Sequence, residues 1–103
     1  MSRFRVVVTA TARAHVRAVV RWCVEHDRGV PETFLAELES AIDRLSEVPH
    51  SGHRYLQSPI AGVYRLLLRR SGYHVYYTID ADVSEVLVRA VWYTGRGSGP
   101  PLG

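Results

Sequence analysis

Between residues 64 and 77 the chain reads Tyr-Arg-Leu-Leu-Leu-Arg-Arg-Ser-Gly-Tyr-His-Val-Tyr-Tyr. Two β-prone runs meet at a Ser-Gly turn, and each alternates in character with period two. Such alternation marks strands that bury one face only, because successive side chains leave opposite sides of a sheet. Tyr64, Leu66 and Leu68 fall on one side, continued across the turn by Tyr73, Val75, Tyr77 and Ile79. Arg65, Arg69, His74, Tyr76 and Thr78 fall on the other. The first set is a core wall. The second is a basic, aromatic surface on which function is expected.

The rest of the chain supplies what that wall must pack against. Phe4, Val6 and Val8 alternate within a short strand over residues 3–9, and Thr9 or Thr11 is placed to cap a following helix. Over residues 12–26, Ala12, Val16, Val19, Val20 and Cys23 recur at helical spacing, with His15, Trp22 and His26 on the shoulder. Arg13, Arg17, Arg21 and Arg28 line the far flank, which reads as a solvated face. Gly29 suits a helix end and Pro31 a helix start. Phe34, Leu35, Leu38, Ile42 and Leu45 form the apolar stripe of a second helix, which Pro49 stops.

Residues 50–62 read as loop. Strands are expected over 63–69, 73–79 and 85–93. The order is β-α-α-β-β-β, an α+β domain with a helix hairpin packed on one face of a mostly antiparallel sheet. The domain is expected to span residues 1–96, with a Gly/Pro-rich flexible tail over 97–103.

Charge narrows the chemistry. The 13 basic residues are all arginine, against 10 acidic ones, for a net charge of +3. Lysine general bases are thereby excluded, and any acidic partner must be met by local clusters of arginine. A lone Cys23 gives no disulfide framework. His50 and His53 sit in a loop without nearby acids, so no metal and no cofactor are expected. No run is long enough for a membrane span or resembles a leader, which points to a cytoplasmic protein.

Three pieces in order carry a family resemblance: Ala12-x-Ala14-x-Val16-x-x-Val19-Val20-x-Trp22; Phe34, Leu38, Ile42 and Leu45 followed by Pro49 and Gly52; and Tyr64-Arg65 through Ser71-Gly72-Tyr73-His74-Val75-Tyr76-Tyr77, with Val88 to Tyr93 and Arg96. Over about residues 4 to 96 the chain resembles the RelE/ParE superfamily, the toxins of bacterial type II toxin–antitoxin modules. The resemblance implies a growth-inhibiting toxin, of the kind linked to plasmid stabilisation, neutralised by a cognate antitoxin in a toxin–antitoxin hetero-oligomer. It leaves two targets open. RelE-like members are ribosome-dependent ribonucleases that cleave mRNA, whereas ParE-like members inhibit DNA gyrase by binding.

RNA cleavage requires groups that activate the 2′-hydroxyl, stabilise the phosphate and protonate the leaving oxygen. The resemblance suggests Arg65, His74, Tyr93 and Arg96 for these roles. Leu67 stands where the family often has a basic residue, His74 where arginine is common, and the expected terminal helix with its tyrosine is missing. These departures favour a ParE-like inhibitor without catalytic residues. Its target- or antitoxin-binding surface is expected to comprise Arg65, Leu67, Arg69, His74, Tyr76, Arg89, Tyr93 and Arg96, with Leu87 and Val91 as apolar patches and Trp92 turned to the core. The alternatives are a RelE-like ribonuclease and a member with weak or lost toxicity that still binds antitoxin. The net basic charge implies an acidic antitoxin that orders on binding.

Overall fold

In the computed structural model, which describes residues 3–26 and 31–102, the chain enters as strand β1 (Arg5–Val8). Thr9 then starts helix α1 (Ala10–His26). Its Oγ1 accepts the Ala12 N–H at 3.2 Å, so Thr9 rather than Thr11 is the cap. Arg28 and Gly29 lie outside the described residues. Helix α2 (Pro31–Glu47) begins at its proline and buries Phe34, Leu38, Ala41 and Leu45, one stripe at spacings of three and four. A short 3₁₀ turn (Pro49–Ser51) follows.

The stretch expected as loop contains a two-residue strand, β2 (His53–Arg54). It pairs with β3 (Val63–Leu68), and the Tyr55 N–H donates to the Val63 carbonyl at 2.8 Å just beyond it. Strands β4 (Tyr73–Asp80) and β5 (Glu85–Tyr93) complete a five-stranded sheet of order β1-β5-β4-β3-β2. Only β1 and β5 run parallel, joined over Glu85 to Val88 of β5. The result is an α+β fold with both helices on one face of a mostly antiparallel sheet.

The helix side is the main core. Ala12 and Val19 of α1 and Phe34, Leu38, Ala41 and Leu45 of α2 pack on Leu68, Val75, Tyr77, Val86, Val88 and Val91. Each buried Val or Leu contributes about 1.5–3 kcal/mol over an exposed one. Tyr77 is fully buried, and its hydroxyl accepts the Gly52 N–H at 3.0 Å. Glu37 of α2 anchors the β3–β4 turn, accepting the N–H groups of Arg70 and Ser71 at 2.8 and 2.9 Å. No helix among the described residues is long and apolar enough to cross a membrane.

A further expectation changes. In β5, Tyr76 pairs with Ala90 but Tyr77 pairs with Val88, which leaves Arg89 as the extra residue of a β-bulge. The alternation therefore shifts phase. Val91, expected in an exposed patch, is buried in the helix-side core, and Trp92, expected there, joins a cluster on the opposite face. Beyond Arg96 comes the Gly/Pro-rich segment. It folds back over that opposite face, burying Pro100 and Leu102. Leu102 completes a small second cluster with Val63, Tyr76 and Ala90, flanked by Tyr55, Ile60 and Trp92. The glycines and prolines give this segment no regular structure, yet the apolar patch offers its one leucine a dry seat.

Candidate functional site

The face away from the helices is built from cross-strand rows. Arg65 lies between His53 and Tyr76, and His74 between Leu67 and Trp92. The Arg65 guanidinium sits 5.2 Å from the Tyr55 ring centre. Tyr55 meets Tyr76 edge-on at 5.0 Å, and His74 meets Tyr76 at 5.9 Å. Burial, and then the charge of Arg65, lowers the His74 pKa. This imidazole therefore favours its neutral form. Arg89 crosses to Thr78, its Nε donating to Oγ1 at 2.9 Å. Leu67 is 43 % exposed and supplies the apolar ground between these cations, while Arg69 is exposed in the turn after β3.

The eight residues expected to form one surface do not all share it. Arg65, Leu67, His74 and Arg89 do. Tyr76 belongs to the same face but is only 3 % exposed, covered by the Leu102 cluster, so it supports the surface from below. Tyr93 pairs with Tyr73 and packs its ring against it at 5.2 Å, on the helix side. Arg96 places its guanidinium 4.0 Å from the Trp92 ring centre. Of the four groups suggested for RNA cleavage, Arg65 and His74 are neighbours, whereas Tyr93 leaves the opposite face of the sheet.

A second feature was not anticipated. Where β1 stops short beside β5, an open groove of about 940 Å³ runs between the helices and the end of the sheet. Trp22, Phe34, Tyr73, Val91 and Tyr93 line it, and Arg70 and Arg96 stand in it as cations. Trp22 and Tyr93 remain 46 % and 47 % exposed. Burial first, then Cys23 and Tyr93, raises the Tyr73 hydroxyl pKa, so it stays a neutral donor. The signal in the sequence was the Trp22 shoulder of α1, whose partner across the groove, Tyr93, was hidden by the bulge. An aromatic trough with cationic groups suits an amphipathic, acidic segment.

His50 and the two histidines of α1 have other partners. His50 sets its ring edge-on to Tyr64 at 5.5 Å, His26 stacks on Trp22 at 4.8 Å, and His15 accepts a backbone N–H from β5. Among the described residues no three His, Cys, Asp or Glu side chains gather as a ligand set.

Comparison with known proteins gives the context for these surfaces. No curated protein sequence matches the chain. Among solved structures, the RelBE2 toxin–antitoxin complex of Mycobacterium tuberculosis is similar at a TM-score of 0.63 and 25% identity, covering 88% of this chain and 98% of that one. The chromosomal ParDE system of P. aeruginosa superposes at 0.67 with 19% identity, covering 87% and 95%. The intact E. coli RelBE complex does so at 0.67 with 19% identity, covering 90% and 99%. The family model described as the ParE toxin of the type II toxin–antitoxin system parDE matches residues 6–97, nearly the whole chain. The chain belongs to that family, within the RelE/ParE superfamily of type II toxins.

Proposed function

We propose that this toxin acts in the cytoplasm as a ParE-like inhibitor of DNA gyrase, by binding and without bond chemistry, and that an acidic cognate antitoxin neutralises it. The separation of His74 from Tyr93 carries the reading. These residues leave opposite faces of the sheet, so an acid/base on one cannot act on a phosphate held by the other. Arg65, Leu67, Arg69 and Arg89 instead offer the mixture of cations and exposed apolar surface that a protein target meets. The antitoxin segment is assigned to the aromatic groove, where Trp22, Tyr93, Arg70 and Arg96 match an acidic amphipathic chain. The similar RelBE and ParDE structures support a partner of this kind.

The neighbouring Arg65 and His74 favour one alternative, a RelE-like ribonuclease working with those two groups. Purified toxin assayed side by side for inhibition of gyrase supercoiling and for ribosome-dependent mRNA cleavage separates the two. Gyrase inhibition that survives His74→Ala with a severalfold loss fits the proposal. Message cleavage by the wild type, lost by the typical factor of about 10²–10⁴ for an acid/base group in the same variant, overturns it. Trp22→Ala should weaken co-purification with the acidic product of the adjacent reading frame while leaving gyrase inhibition intact.

A further inference from the structure

The outer face is the proposed target surface, yet part of it is already occupied by the chain itself. Arg96 stacks on Trp92 and turns the chain back. The Trp92 indole N–H then donates to the Ser98 carbonyl at 3.0 Å. Gly99 passes so close to the Tyr55 hydroxyl that a Cβ there would collide with it. Pro100 is buried, and Leu102, 7 % exposed, is seated on Val63, Tyr76 and Ala90. These three contribute from β3, β4 and β5, so the leucine lies across the middle of the face that carries Arg65, His74 and Arg89.

The same segment is held lightly. Beyond Arg96 no backbone–backbone hydrogen bond ties it to the sheet among the described residues. Its hold is the indole hydrogen bond and the burial of Pro100 and Leu102. A segment with so few contacts opens at the low end of the local stability scale. The surface beneath is apolar and complete without it: Val63, Tyr76 and Ala90 satisfy their backbone groups in the strand pairings.

We infer that residues 97–102 are a cis-acting strap that lowers the toxin's apparent affinity for its target by covering the Val63/Tyr76/Ala90 patch, and that target binding requires the strap to lift. The inference rests on the outer face being the target surface. Covering multiplies the intrinsic affinity by the fraction of molecules with the strap open, so a lifted strap binds more tightly with no new contact. The two prolines keep the strap extended and exclude it from β-pairing. It covers the sheet without adding a strand to it.

Leu102→Asp, which sets a carboxylate against the apolar seat, tests this in the full-length chain; Leu102→Met, which keeps an apolar group there, is the control. In a Trp22→Phe background the Trp92 emission reports the strap directly, and Leu102→Asp should shift it to the red while Leu102→Met does not. An unshifted spectrum means the strap is not held by Leu102 and overturns the inference. Leu102→Asp should lower the half-inhibitory concentration for gyrase supercoiling by about fivefold or more. If wild type inhibits gyrase and Leu102→Asp inhibits equally or less, the strap is part of the binding surface and the inference fails while the gyrase reading stands. If neither inhibits gyrase, that reading fails, and growth inhibition on induced expression decides the strap. Stronger arrest by Leu102→Asp supports it; equal, weaker or absent arrest overturns it.

Discussion

The Nδ1 atom of His15, on α1, accepts the backbone N–H of Val91 at 3.2 Å, so a helix side chain closes a stretch of β5 that β1 leaves uncovered. The imidazole also lies 5.3 Å from the Trp92 ring. Nδ1 accepts only when the ring is neutral with its proton on Nε2. The bond therefore makes the end of β5 sensitive to pH.

Burial, and then the charge of Arg96, lowers the His15 pKa below its ordinary 6.5. The folded protein binds this proton less readily than the unfolded chain does. The stabilisation is complete above 6.5 and is lost as pH falls through the lowered folded value. His74 is shifted in the same direction, so the comparison with a variant isolates His15. His15→Ala leaves the Val91 N–H without its partner and should cost about 1–2 kcal/mol at pH 7.5. By urea unfolding, that difference should shrink at pH 5, and hydrogen exchange at Val91 should be faster in the variant at neutral pH. A cost that does not change with pH would show that the ring matters for packing alone.

Gly52 tests the joint between the 3₁₀ turn and the sheet. Its backbone is extended and available to any residue, with φ −80° and ψ −178°. Space is the constraint: a Cβ would lie 2.6 Å from both the Arg65 carbonyl oxygen and the Tyr77 hydroxyl. Gly52→Ala must therefore push β3 or Tyr77 away, at a cost of about 1–3 kcal/mol. Adding Tyr77→Phe removes one of the two obstructions but also the hydroxyl that accepts the Gly52 N–H. Thermal unfolding of both single variants and the double should then show a double variant less destabilised than the sum of its parts.

What the sequence made legible follows from where its signals are local. Tyr64 to Leu68 and Tyr73 to Ile79 alternate without interruption, and both faces came out as their spacing implies. In β5 the alternation carries no such instruction. Val86, Val88, Ala90 and Trp92 are as apolar in one phase as Leu87, Val91 and Tyr93 are in the other. The choice falls to the pairing of Tyr76 with Ala90 and Tyr77 with Val88, a relation between strands that makes Arg89 the bulged residue. Residues 97–102 are illegible for a related reason. Glycine and proline deny them regular structure, and the seat of Leu102 is made by three residues distant in the chain. The aromatic groove was half visible, through Trp22, because its other wall depended on the same bulge.

Arg65 and Arg89 provide the sharpest test of the outer face. Arg65→Ala gives up a cation–π contact with Tyr55, worth about 0.5–2 kcal/mol between two half-buried side chains. Arg89→Ala gives up the bond to Thr78, worth about 1 kcal/mol. Against a typical domain stability of about 5–15 kcal/mol, the double variant should remain folded, with a modestly lowered melting temperature. An arginine anchoring a protein interface is worth about 2 kcal/mol, or roughly thirtyfold in affinity. Circular dichroism should therefore report a native fold while inhibition of gyrase supercoiling falls by at least that factor. A folded double variant as inhibitory as the wild type would move the target surface off the sheet. The exposed Arg13, Arg17 and Arg21 of α1 would be the next cations to remove, followed by Arg96.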